Sequence, residues 1–459
     1  MTRLAAAALI VMTGCWSMAP KYERPAAPIP AQLPGGDGSA TAADVPIADF
    51  VHDDKLRQIL SKVITENRSL RRTAMDIESA RAQYRIQRAA RLPDVEASAN
   101  VLQASEFIGI PGAETARVSE YDVGVGVASW EIDLFGRIKS LSDAKLQSYL
   151  SAVEVGRATR VSLIAEAATA YVTLAADKSR LAIAQSTMAA AQKAKDLTEQ
   201  LVGGGTSNRG DFWQASTVFE QARGDVAALT ATIAQDRNAL ELLAGGPLDD
   251  ALMPDALPPQ PDWFADVPVG MSSTVLLARP DVLAAEHELI AANANIGAAR
   301  AAFFPTLSLT ANGGLVSTAL AALFTGPTFV WTIAPSLSVP LFRGGANRAN
   351  LEYAEAQKKG LIAGYELAIQ TAFREVADAL ATRGTIKDQM SAQAALVEAA
   401  SKSLELAQAR YTAGVEPFLS TLVSQRALYA AQNSLVTTQY AAMTNRITLY
   451  RVLGGGADR

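Results

Sequence analysis

A stretch that turns a heptad helix into a two-faced strand occurs twice in this chain, and its repetition restricts the possible architectures more than any other feature. In the copy at 279–309, Val282, Leu289, Ile296 and Phe303 recur at heptad spacing, with Ala285, Ala292 and Ala299 between them. Large and small residues thus alternate along one helical seam. Pro305 stops that rhythm, because proline has no amide for a further helical turn and biases Phe304 toward extended backbone. Leu307, Leu309 and Ala311 then alternate with Thr306, Ser308 and Thr310 in the period of a strand. In the copy at 67–101, Leu70, Ile77 and Tyr84 stand where Val282, Leu289 and Ile296 stand, and Pro93 stands where Pro305 does. Farther along, Gly205 matches Gly414, Arg237 matches Arg446, and Gly245 matches Gly454. One unit is therefore built twice.

Each half contains the same parts in the same order. In the first half, Leu56, Leu60, Val63 and Ile64 open a helix expected to run unbroken through the seam to Leu92. Val95, Ala97, Ala99 and Val101 alternate with Asp94, Glu96, Ser98 and Asn100; after a loop holding Pro111 and Gly112, Tyr121, Val123, Val125 and Val127 form a second strand. Residues 137–201 contain no proline and carry a heptad through Ala167, Leu174, Leu181 and Met188, which predicts one helix of ~100 Å. Gly203, Gly204 and Gly205 break it, and 211–244 return as an antiparallel helix of ~50 Å, leaving the opening helix to continue the shorter line end to end. The second half repeats this plan. Phe329, Trp331, Ile333, Leu337 and Val339 supply its second strand, 347–411 its long helix and 418–453 its return. The expected organisation is a first repeat at 50–246 with a hairpin at 93–132, an extended proline-rich linker at 247–270, a second repeat at 271–453 with a hairpin at 305–340, and a flexible tail at 454–459.

The single cysteine lies at the end of a leader. Arg3 supplies a positive charge, residues 4–13 an apolar core, and Met12-Thr13-Gly14-Cys15 resembles a bacterial lipobox. Residues 1–14 read as a lipoprotein signal peptide and Cys15 as the lipid-bearing first residue. The following residue, Trp16, is not the aspartate that holds lipoproteins at the inner membrane, which implies outer-membrane sorting. Residues 15–49 then form an anchor and an extended proline-rich tether. The formal net charge of −5 argues against nucleic acid as a partner. With one cysteine and two histidines, His52 and His287, neither a disulfide within the chain nor a Cys/His metal site is expected. No catalytic constellation and no phosphate-binding loop is recognisable, so the chain reads as a non-enzyme that needs no cofactor beyond the covalent lipid on Cys15.

Four strands are too few to close a barrel, and an open sheet edge cannot lie in lipid with its backbone groups unpaired. Strands of ~10 residues with one apolar and one polar face are those of a barrel that surrounds water within a membrane, provided other copies of the chain complete it. Alternating strands also form half-buried soluble sheets, and heptad helices often bury only a core. A non-porous periplasmic coiled-coil scaffold is therefore the alternative from another class.

The duplicated plan, the segment RPDVLAAEHELIAANANIGAARAAFFP from Arg279, VPLFRGG from Val339, RYTAGVEPFLSTL from Arg410 and LYRVLGGG from Leu449 closely resemble the TolC-like outer-membrane efflux channels, in their lipoprotein branch serving tripartite exporters. The resemblance implies a mainly α-helical chain with membrane β-strands. Three copies would form a twelve-stranded outer-membrane barrel and a twelve-helix periplasmic tunnel. It further implies a passive exit duct for drugs or toxic small molecules, delivered by an inner-membrane pump through a periplasmic adaptor docking at the turns around Gly205 and Gly414. Tyr411 matches a family gate tyrosine and Asp211 its acidic bonding partner. Ser420 and Val423 stand where the family carries pore aspartates. An apolar or hydroxyl-lined closure is expected in their place, with Glu416 supplying the acidity of the mouth. A type I protein-secretion or metal-efflux channel is the alternative within transport.

Overall fold

A computed structural model of the chain describes residues 17–34, 46–106, 116–205, 207–259, 262–266 and 272–455. The expected signal peptide, Cys15, the loop holding Pro111 and Gly112, and tail residues 456–459 lie outside the described residues. The helices are α1 (Ile47–Phe50), α2 (Asp54–Glu66), α3 (Arg68–Ala89), α4 (Arg137–Gly203), α5 (Arg209–Ala244), α6 (Pro280–Ala301), α7 (Ala346–Thr412) and α8 (Phe418–Val452). The strands are β1 (Val95–Glu106), β2 (Ala116–Ile132), β3 (Thr306–Ser317) and β4 (Phe329–Ser338). Among the described residues no helix is long and apolar enough to cross a membrane. The chain forms two compact units, one from Met1–Ala26, Asp76–Val153 and Ala284–Glu366, the other from Ala27–Met75, Glu154–Leu283 and Leu367–Arg459.

The first unit holds one antiparallel sheet in the order β1-β2-β3-β4, so β1 and β4 are its edges. Its register sets apolar residues beside apolar ones: Ala97 opposite Val125, Val125 opposite Gly313, and Gly313 opposite Trp331. On the other face Asn100 lies opposite Asp122 and donates to its carboxylate at 3.0 Å. The strict alternation expected of β2 fails at one place. A bulge between Val127 and Trp130, with Ser129 at φ 52°, shifts the phase by one residue. Trp130 and Ile132 thereby join the apolar face opposite Leu309 and Leu307. Pro335 lies on the edge strand β4, opposite Leu309.

Pro93 and Pro305 occupy the short connections between α3 and β1 and between α6 and β3. Around the roots of the strands, Glu131 accepts a two-pronged pair from Arg137 at 2.9 and 2.5 Å, and Asp133 accepts the Lys139 amide at 2.7 Å, capping the start of α4. Phe135 stacks on Phe304, with ring centroids 4.8 Å apart.

The extended proline-rich segment makes contacts with the body of the protein. Arg24 clamps the buried carboxylate of Glu286 through two 2.7 Å bonds, Tyr22 donates to the same group at 3.1 Å, and Asn293 donates to the Pro20 carbonyl at 2.7 Å. In the second unit Ser273 donates to the Pro30 carbonyl at 2.5 Å, and Leu33 is buried. Proline keeps the segment extended, and polar groups on α6 and at the helix start before it supply the partners that hold it.

In the second unit, α2, α5 and parts of α4 and α8 enclose a core that includes Leu56, Leu60, Tyr171, Leu174, Leu240 and Tyr450. The opening helix is not continuous, as the heptad suggested, but breaks at Asn67. That residue has ψ 130°; its side chain accepts from the amides of Ser69 and Leu70 at 2.8 and 3.2 Å and donates to the Leu243 carbonyl at 2.7 Å. A capping side chain competes with the helical backbone, and here it also seats the α2–α3 break against the end of α5. The described part of the 247–270 linker packs onto this core. Phe264 is buried and bridges to Val51, while Phe50 stacks on Tyr450 at 4.0 Å and meets Phe264 at 5.3 Å. Its aromatic residues were the signal that proline and acidic composition obscured.

Candidate functional site

The two helical turns lie within the second unit and share one feature. Gly205 and Gly414 have φ of +73° and +70°, a left-handed backbone that side chains other than glycine rarely adopt. At the second turn the Val415 amide donates to the Arg410 carbonyl at 2.9 Å and the Gly414 amide to the Tyr411 carbonyl at 2.9 Å, which closes the last turn of α7. At the first turn Asn208 caps α5, accepting the Asp211 amide at 3.0 Å.

Gly205, Asp211, Tyr411, Gly414 and Glu416 line one cavity of about 600 Å³, together with Ser207, Asn208 and Phe418. Ser420 and Val423 lie beyond it on α8. Ser420 is half-buried, whereas Val423 is 60 % exposed and lies one turn from exposed Leu419 on α8; Val415, in the turn before the helix, is exposed as well.

The side chains within this cavity are paired differently from expectation. The Asp211 carboxylate accepts from Ser207 Oγ at 2.8 Å, on its own turn. Tyr411 packs on Phe418, with ring centroids 5.1 Å apart and the planes at 54°. Burial, and secondarily the Asp211 charge, pushes the Tyr411 phenol up from its ordinary value, so it remains a protonated donor at neutral pH. Glu416 is not a free acid at the mouth. Arg410 holds it at 3.3 Å across the Gly414 turn. Sequence reading passed over Arg410 and Ser207; opposite charges flanking a helix-ending glycine were the available signal for the first.

On the strand unit the apolar face is open. Val95, Val101, Trp331, Ile333 and Leu337 are all exposed, and the edges β1 and β4 carry backbone groups without a neighbour among the described strands. Sheet edges of this length call for another chain or a cover.

A family model described as outer membrane efflux protein matches the chain twice, over residues 59–246 and 271–455. The chain belongs to the outer membrane efflux protein family. It is similar to the solvent efflux pump outer membrane protein SrpC of Pseudomonas putida, at 43% identity over 98% of this chain and 97% of that protein. Among solved structures, a membrane protein from Pseudomonas aeruginosa superposes with a TM-score of 0.90 at 40% identity, covering 96% of this chain and 99% of the other. The open state of the Neisseria gonorrhoeae MtrE outer membrane channel does so with a TM-score of 0.87 at 36% identity, covering 96% and 99%. This efflux protein is thus an outer-membrane channel component, mostly helical with a four-stranded sheet in each chain.

Proposed function

We propose that three copies of the chain assemble into a passive exit duct, in which β4 of each copy pairs with β1 of the next to close a twelve-stranded barrel. The observation that carries this reading is the sheet itself: four strands with a continuous apolar face, a polar face and two open edges. Closure by like copies satisfies both edges at once, which a bilayer requires of any strand exposed to it. A lipid on Cys15 would anchor each copy, and the segment bound through Arg24 and Ser273 would fix the anchor to the body of the protein.

The cargo consists of small, largely apolar toxic compounds of the solvent and antibiotic type, handed over by an inner-membrane pump through a periplasmic adaptor. Relatives named for solvent, toluene and antibiotic efflux support this class. The turns at Gly205 and Gly414 are the docking and gating end. Opening separates the helix pair α4/α5 from α7/α8, and Tyr411, Asp211, Glu416, Ser420 and Val423 line the passage that widens. Exposed Leu419 and Val423 make the closed constriction apolar where the family carries pore aspartates.

Planar-bilayer recording of detergent-purified trimer is the direct test. Conductance is expected to rise in Tyr411→Ala combined with Glu416→Ala. Absence of any conductance, in that variant as in the parent, would refute the channel. For the anchor, Cys15→Ser should abolish incorporation of labelled palmitate, and unchanged labelling would refute lipidation there.

A further inference from the structure

At the turns Asp211 accepts from Ser207 and Tyr411 packs on Phe418, and a charge-assisted hydrogen bond joins the two helical hairpins farther from their closed end. That contact lies ~20 Å farther along α5, at Asp225. The Tyr429 hydroxyl of α8 donates to Asp225 Oδ2 at 2.8 Å. The other oxygen, Oδ1, accepts from Gln221 Nε2 at 3.0 Å, one turn back on α5. Both carboxylate oxygens are thereby oriented, and the acceptor is in place without rearrangement. One turn back on α8, Arg426 reaches Thr217 of α5 at 3.4 Å, a long and weaker contact.

These groups line a cavity of about 320 Å³ between α4, α5 and α8, whose wall includes Thr187, Val218 and Ala222. Nearer the turns the same three helices meet through an apolar cluster of Ala191, Ala215, Val218, Phe418 and Leu422. Small apolar residues can slide past one another with little loss. A directional bond to a charged acceptor cannot stretch by more than a few tenths of an ångström without being lost. Of the contacts between the hairpins in this region, the Tyr429–Asp225 bond is therefore the one that distinguishes a joined from a separated state.

We propose that the Tyr429–Asp225 hydrogen bond is the latch that keeps α5 and α8 together, so that opening of the channel requires it to break. The proposal rests on the duct reading above and names the residues that regulate it. Burial, reinforced by Asp225, pushes the Tyr429 phenol up to about 12, so it stays a donor throughout the neutral range. The charged groups beside it are Asp225 on α5 and Arg426 on its own helix.

The test is single-channel recording of full-length trimer carrying Tyr429→Phe, Asp225→Ala, or both. Loss of one bond to a charged acceptor is expected to raise the open fraction by about tenfold or more in each single variant. The double variant should open no more than either single one, because one interaction is removed in all three. The conductance of the open level and the thermal midpoint of the trimer should remain within error, which separates a latch from a general loss of packing. An unchanged open fraction in Tyr429→Phe while Tyr411→Phe opens the channel would overturn the latch and leave the duct intact. Additive effects of the two single variants would likewise overturn it. Failure of every variant to conduct would overturn both.

Discussion

Replacing Arg279 with methionine should weaken the second unit at the point where α6, α7 and α8 meet. The side chain is 7 % exposed, and all three of its nitrogens donate to groups from three elements. It gives Nε and Nη2 to Asp281 at 3.0 and 2.7 Å, Nη2 also to Glu375 at 2.9 Å, and Nη1 to the Val452 carbonyl at 2.9 Å. The partners would suffer unequally. Asp281 is half exposed and can be hydrated, and Glu375 keeps Arg451 at 3.7 Å. The Val452 carbonyl, at a buried helix end, has no comparable substitute. Breaking a buried pair costs ~3–5 kcal/mol, and these two compensations put Arg279→Met near the lower end, ~3 kcal/mol. The loss should appear as faster hydrogen exchange at 446–455 and a lower thermal midpoint. Arg279→Lys, which keeps the charge but not the planar fork, should fall between. Unchanged exchange at the end of α8 in Arg279→Met would refute the assignment of this node.

The remaining expectations concern other joints. Asp236 is pushed up to about 6 by burial and by its hydrogen bond with Asp177, so the folded state holds a proton that the unfolded state releases near 4. Its contribution to stability is therefore fully present below about 4 and is lost as pH rises through about 6. Asp236→Asn should flatten the fall in thermal midpoint between about pH 4 and 6.5, and an equally steep fall would count against the shared proton. Asn67→Ala should cost ~1–2 kcal/mol through the lost cap on α3 and the lost bond to Leu243, read as a lower midpoint. Arg24→Ala should strand the Glu286 carboxylate and release the N-terminal segment to proteolysis; restored resistance in Arg24→Ala with Glu286→Gln would show that the buried charge was the cause. Glu416→Gln should change stability by less than ~1 kcal/mol, since its pair with Arg410 is solvated, and a larger drop in thermal midpoint would refute that.

Periodicity and proline sufficed to read the duplication, the long helices and the four strands with their faces. Those signals are local: a heptad seam, an alternating face and a helix-ending glycine each follow from spacing along the chain. For the same reason the sequence located both turns and placed Tyr411 and Asp211 near them. Pairing across helices was not legible, because it depends on the rotation of each helix about its axis. Asp225 on one hairpin therefore met Tyr429 on the other, at positions that no repeat relates, whereas the pairs Ser207–Asp211 and Arg410–Glu416 are local to their turns. Tertiary structure also decided where regular elements end. The heptad through Leu70 continues without interruption in sequence, yet the Asn67 side chain gains more from capping α3 and holding α5 than the backbone gains from one more turn. The bulge at Ser129 and the binding of the proline-rich segments have the same origin: each is fixed by partners distant in sequence, whose groups become neighbours only when the chain has folded.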